Sequence, residues 1–306
     1  MDEKRLGASF CPSPGQIRWF LTVLVAFAAL VRLMVAYITV HYFDLSFYVD
    51  WSTGVANDFF GAYNNIGNLD YPPLFLFPLF LTGKLLGIGA VRAFDPYMML
   101  ALKGWQVLFD LACIPLLYRV LRREGQLVGL AGAAIWAVNP AGILNSSYWG
   151  QTDSIMIFLV VLAFLLLEEG RPVWSGAVMA LACLMKFQSL YFAPVYAVAL
   201  LTSYPPRRIF QTVAAGAGTV LAVFLPFMAR RAGRCRWRST SAASASTRGQ
   251  PQRLQLLFVG GAQLQAFQHE NPRSDPGGTT FRPCFWPRLW RCFRPCGSRP
   301  PKRASG

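Results

Sequence analysis

The stretch Trp19–Tyr37 is an unbroken apolar run interrupted by a single charge, Arg32. A helix needs about 20 mainly apolar residues to cross a bilayer core. In hydrocarbon each backbone N–H and C=O must be satisfied within the segment, which favours helices over open strands. Similar runs follow at Leu74–Ala90, Met98–Leu121, Leu127–Ile143, Ile155–Leu167, Val173–Met185, Tyr191–Leu201 and Phe210–Met228. Only 14% of the 306 residues are charged and 54% are apolar, against about a quarter charged in ordinary soluble domains. A disordered chain and a solvated nucleic-acid-binding domain are excluded on that balance. The expected fold is all-α, a polytopic transmembrane helical bundle of about seven or eight apolar segments. Trp19–Tyr37 reads as an anchor rather than a signal peptide, because the run is long, carries Arg32 and lacks a small-residue cleavage site. The two runs between residues 173 and 201 are short for full spans, so they are expected to kink about Lys186 or to pack inside the bundle.

Charge divides the chain. Residues 230–306 hold fourteen Arg, one Lys and two acids, whereas residues 1–229 are nearly neutral. Three parts follow: a cytoplasmic N-terminal segment (1–16), a membrane domain (17–229) and a basic tail (230–306). Lys and Arg concentrate in cytoplasmic loops. The loop between the first two runs contains Asp44, Asp50, Asp58 and Asp70 without any Lys or Arg, so residues 43–72 are placed outside. Arg119, Arg122, Arg123, Arg171, Arg207 and Arg208 are placed inside, and Tyr148–Asp153 falls on the outer side. A simple count of crossings through Leu74–Leu121 would nevertheless put Arg122 outside. Either Leu74–Ala90 is re-entrant or the charge bias fails there.

Ionisable groups in apolar runs are costly, at least ~3 kcal/mol each on insertion scales, and normally have a partner or a cavity. Lys103 and Asp110 are two helical turns apart on one face and are read as a structural pair. Lys84 and Lys186 have snorkelling toward an interface as the plain alternative. Asp44 follows the first span directly, and Asp70-Tyr71-Pro72-Pro73 opens the next segment, where Asp70 also suits an N-cap. The interleaved aromatics Phe47, Tyr48, Trp51, Phe59, Phe60 and Tyr63 suit a segment lying on the membrane or a sugar-binding wall. The outer loop Asn145–Ser154 is polar between two apolar runs. Its Gln151 and Asp153 are candidates for gripping a sugar; Asp153 as a helix cap and Trp149 as an interfacial anchor are the plain alternatives.

Taken in order, these motifs carry a resemblance. They are an acid after the first span, Asp70-Tyr71-Pro72-Pro73, the Lys103…Asp110 span, Asn139-Pro140, the loop Tyr148–Ser154, and Lys186-Phe187-Gln188 before Ala193-Pro194. Over about residues 15–229 the chain resembles the polytopic GT-C glycosyltransferases. Within them it is most similar to the bacterial group like the GPI-anchor second mannosyltransferase, related to the dolichyl-phosphate-glucose-dependent transferases. The resemblance implies a mannosyl- or glucosyltransferase in the cell membrane, multi-pass, with its site on the extracytoplasmic face. It would move a hexose from a polyprenyl-phosphate sugar to a hydroxyl of a glycan or lipid-linked acceptor. Asp44 would be the general base, with Asp70, Tyr71, Gln151, Asp153, Lys186 and Gln188 binding substrate. Apart from the resemblance, the charge of Lys186 or Arg32 makes either a candidate to stabilise the leaving phosphate. The lipid-linked sugar is a co-substrate, and the scheme requires neither cofactor nor metal; His41 and His269 are the chain's two histidines. A transporter or flippase subunit, or a non-catalytic membrane protein, is the competing class, with Lys103, Asp110 and Lys186 along a translocation path.

The tail fits neither design. Its apolar runs stop after Met228, and Cys235, Cys284, Cys292 and Cys296 match no zinc spacing. It is read as disordered, with no nucleic acid expected as partner. An out-of-frame origin accounts for its composition. Gln252–Leu256 can be written CAA CGC CTA CAA CTT, which one base along reads Asn-Ala-Tyr-Asn. The chain would then be a truncated, inactive form of such a transferase.

Overall fold

The fold is that of a computed structural model, which describes residues 12–85 and 95–241. Helix α1 (Pro14–Ile38) opens with a reciprocal cap: Ser13 Oγ accepts from the Gln16 N–H, and the Gln16 side chain accepts from the Ser13 N–H. Two donors that no preceding turn can satisfy are thereby used, and Pro14 has no N–H to lose. The acidic segment forms α2 (Tyr42–Asn57) and α3 (Ala62–Asn65), and a 3-10 turn at Pro73–Phe75 leads into α4 (Leu76–Leu85). Helix α5 (Pro96–Leu121) is capped by Asp95, whose carboxylate accepts from the Tyr97 N–H at 2.9 Å. Next, α6 (Gln126–Val138) breaks at Asn139-Pro140 into α7 (Pro140–Ile143) and a π-helical turn, Leu144–Trp149. The remaining helices are α8 (Asp153–Glu168), α9 (Pro172–Met185), α10 (Ala193–Ser203), reached through a 3-10 stretch at Phe187–Phe192, and α11 (Pro206–Ser241).

Every apolar run is helical where it is described, and no strand occurs among the described residues. Among the described residues, not every apolar segment is long enough to span. Pro14–Ile38, Pro96–Leu121 and Pro206–Ala229 qualify, and Gln126–Val138 with Pro140–Trp149, bent by 46°, makes a fourth if counted as one. The others are shorter; α9, for example, packs between α8 and α11. The tail also departs from expectation at its start, because α11 continues helically to Ser241. Residues 242–306, with the disorder and the out-of-frame origin read into them, lie outside the described residues.

The conflict over Arg122 resolves in the packing. Helices α1 and α5 run antiparallel. Lys103 reaches the last turn of α1, Arg32 meets Asp110, and Ala28 shares a cluster with Ile114. Helix α5 therefore starts beside the end of α1. Between them, Pro73–Leu85 is about 20 Å long, short of a ~30 Å core, and α4 packs against α2. This segment does not carry the chain across, so Arg122 lies at the same end as Arg18. Arg119 pairs with Glu169 at 2.7 Å and Arg123 with Glu168, which brings the ends of α5 and α8 together there. The hydrogen bond from Arg119 holds the Glu169 carboxyl below its usual range. Lys84 is exposed, its ammonium 5.7 Å from the Phe80 ring centre.

Helices α9 and α11 cross at Gly176, where a Cβ would lie 2.4 Å from the Thr212 carbonyl oxygen. Small residues at such crossings let backbones approach in a membrane. Gly176→Ala is expected to destabilise the chain by about 1–3 kcal/mol through overpacking, read as an earlier unfolding transition in detergent micelles.

Candidate active site

The site assembles at the end of the bundle opposite the Arg cluster. Thr39 leaves α1 in extended conformation, and α2 begins three residues later with Asp44 in its first turn. From the far side of the sequence, the π-helical turn ends at Gly150, whose φ of 77° only glycine adopts freely. A Cβ there would also lie 3.2 Å from Leu45 Cδ2 and from Lys103 Cγ. That reversal turns Trp149 and Gln151 onto Asp44. One carboxylate oxygen of Asp44, Oδ2, accepts from the Gln151 amide at 2.7 Å and from the Trp149 indole N–H. The His41 ring lies against Trp149, centroids 5.0 Å apart, with Nδ1 3.9 Å from the same oxygen.

Gln151 links the two halves of the site. Its Oε1 accepts from the Tyr71 hydroxyl at 3.2 Å and from the Lys186 ammonium at 3.3 Å. Tyr71 in turn shares a 3.2 Å hydrogen bond with the Tyr48 hydroxyl. Lys186, placed just past the end of α9, pairs with Asp153, whose other oxygen accepts from Asn145 at 3.0 Å. Five of the residues singled out in the sequence, Asp44, Tyr71, Gln151, Asp153 and Lys186, thus share one hydrogen-bonded network.

Beside the network is a cavity of 360 Å³, within the range of small-ligand sites. Phe43, Phe47, Tyr48, Trp51 and Tyr71 give it aromatic walls, and Asp44, Asp70, Asn68 and Gln151 supply polar groups. The Asp70 carboxyl is pushed above the usual range, first by lost hydration and also by the Asp44 charge, although a backbone hydrogen bond opposes this. Burial pushes the Tyr48 hydroxyl up as well, which keeps it a proton donor.

Several sequence assignments change. Asp70 is not a cap: Pro72 occupies that position before the 3-10 turn, with no side-chain bond. Asp153 is the first residue of α8 rather than its cap, and its carboxylate turns to Lys186 and Asn145. Gln188 is exposed, and no described hydrogen bond connects it to the network. Lys103 and Asp110 do not pair; two turns separate them by about 10 Å along the axis, and each has a nearer partner. The Lys103 ammonium donates to the Thr39 and Ala36 carbonyl oxygens at 2.5 and 3.2 Å, at the end of α1 where the helix dipole favours a cation. Asp110 accepts from Arg32 Nε at 2.7 Å. Arg32 is fully buried and committed there, so it cannot serve a leaving phosphate. Trp149, for which an interfacial anchor is the plain alternative, donates its indole N–H to Asp44 Oδ2. Its indole N–H two residues before Gln151 was the one available signal.

Residues 69–270 match the sequence pattern of glycosyltransferase family 87. A curated relative, GPI mannosyltransferase 1 of Kluyveromyces lactis, is 29% identical over 126 residues, which are 40% of this chain and 31% of the relative. The chain thus spans about a third of that protein's length.

Proposed function

From the premise that the chain belongs to glycosyltransferase family 87, we propose that it transfers a hexose from a polyprenyl-phosphate sugar to an acceptor hydroxyl, with Asp44 as base. The observation carrying this reading is the held carboxylate. Asp44 Oδ2 is fixed by two donors at the edge of an aromatic-walled cavity. No hydrogen bond among the described residues occupies Oδ1, which is left for the acceptor O–H. A general base must sit within hydrogen-bond reach of the proton it takes. Inversion at the anomeric carbon then needs the anionic leaving phosphate on the opposite face. Lys186 uses two of its three N–H groups on Asp153 and Gln151, leaving one for a phosphate oxygen.

The reading also places the site outside. Arg18, Arg119, Arg122, Arg123 and Arg171 gather at the opposite end of the helices from Asp44, and cytoplasmic flanks favour Arg and Lys. The cell membrane, with the site facing away from the cytoplasm, follows as the setting. Aromatic faces suit the C–H faces of a sugar ring, which supports a glycan or lipid-linked acceptor. Membranes containing the chain, supplied with polyprenyl-phosphate-[14C]mannose or -[14C]glucose, are expected to pass label to endogenous glycolipid from one of the two. Absence of transfer from either would overturn the reading.

A further inference from the structure

We infer that Arg32 and Asp110 are positioning residues, which hold the turn presenting Trp149 and Gln151 to Asp44. The inference rests on the transferase reading for its kinetic consequence, but its structural content is independent of that reading. At the Asn139-Pro140 break, Pro140 has no N–H to offer the Trp136 carbonyl. The Ala141 N–H is drawn to Asn139 Oδ1 at 3.0 Å instead of the Ala137 carbonyl. The Trp136 carbonyl keeps a 3.2 Å bond from the Asn139 N–H, and Arg32, from α1, adds a donor to it and supplies one to Ala137. Nη1 reaches Ala137 O at 2.7 Å and Nη2 reaches Trp136 O at 3.3 Å.

Its Nε–H goes to Asp110 Oδ2, and that oxygen also accepts from Ser146 Oγ at 2.8 Å. Ser146 lies within the π-helical turn, three residues before Trp149. One guanidinium–carboxylate unit therefore fastens the segment at its start, near residues 136–137, and in its middle, at Ser146. Arg32, Asp110 and Ser146 are all fully buried, and none of them lines the cavity beside Asp44. Their effect on chemistry must travel through the turn.

The test is the double variant Arg32→Met/Asp110→Leu in the full chain, in lipid nanodiscs. Removing both charges avoids leaving one buried without a partner, and apolar replacement of such pairs is often neutral for stability. Two quantities are read: amide exchange of residues 140–152, and kcat and KM for transfer. The expected result is faster exchange at 140–152 with α1 and α5 unchanged. With it comes a fall in kcat of about 10- to 100-fold, as for a small misplacement of catalytic groups, and KM within about threefold. Ser146→Ala, which frees only the middle fastening, is expected to show the same pattern more weakly. Unchanged exchange overturns the inference, as does faster exchange with wild-type kcat. If the wild type itself transfers no hexose, the transferase reading falls while the exchange result still decides whether this pair holds the turn.

Discussion

Asp44→Asn is expected to lower hexose transfer by about 100- to 10,000-fold, the range that a general base supplies, without loss of folded protein. The substitution is close to isosteric. Its amide oxygen can still accept from the Trp149 indole and from Gln151, so the two ligands of Oδ2 keep their place. What disappears is the capacity to take a proton from the acceptor hydroxyl. Initial rates with a labelled polyprenyl-phosphate hexose, set beside the unfolding profile of the same preparation, make the measurement. A variant retaining more than a tenth of wild-type transfer with its fold intact would remove Asp44 from the chemistry. The same substitution separates reaction classes, because movement of a solute through a path along Lys103, Asp110 and Lys186 has no need of a base at Asp44.

Arg32→Met is expected to cost about 3–5 kcal/mol of stability, the usual penalty for leaving a buried charge unpaired. Asp110 would keep Ser146 Oγ as a donor but lose the guanidinium. Its Oδ1 already has no hydrogen-bond partner although it is buried. The Ala137 and Trp136 carbonyls would lose Arg32 at the same time. Unfolding by SDS in mixed micelles reads the loss as an earlier transition, and adding Asp110→Leu is expected to recover most of it. If Arg32→Met alone unfolds like wild type, the pair contributes nothing to stability.

The helices were legible in the sequence because each hydrophobic run announces itself locally. Asp44, Gln151, Asp153 and Lys186 were legible as a group because their motifs follow in order, although the spacing said nothing about which atoms meet. The partners of the buried charges were not legible. Lys103 and Asp110 share a helix face, which suggested a pair, yet a helix face extends along its axis and both found partners on other elements. Arg32 and Asp110 meet across 78 positions of sequence, a distance no local pattern encodes. The placing of the α5 start beside the end of α1 showed in the sequence only as a contradiction in the charge count. The packing of α4 on α2 turned that contradiction into a topology.

A proline break in a membrane helix is commonly a hinge, because the carbonyls it frees can exchange partners as the two halves flex. Here the Trp136 and Ala137 carbonyls at the break both accept from one guanidinium rooted in another helix, and Trp136 also from the Asn139 N–H. The joint between α6 and α7 is accordingly locked. Any breathing that opens the site must swing α1, α6 and the turn together as a single lever, or come from α2 and α4 on the other side of Asp44.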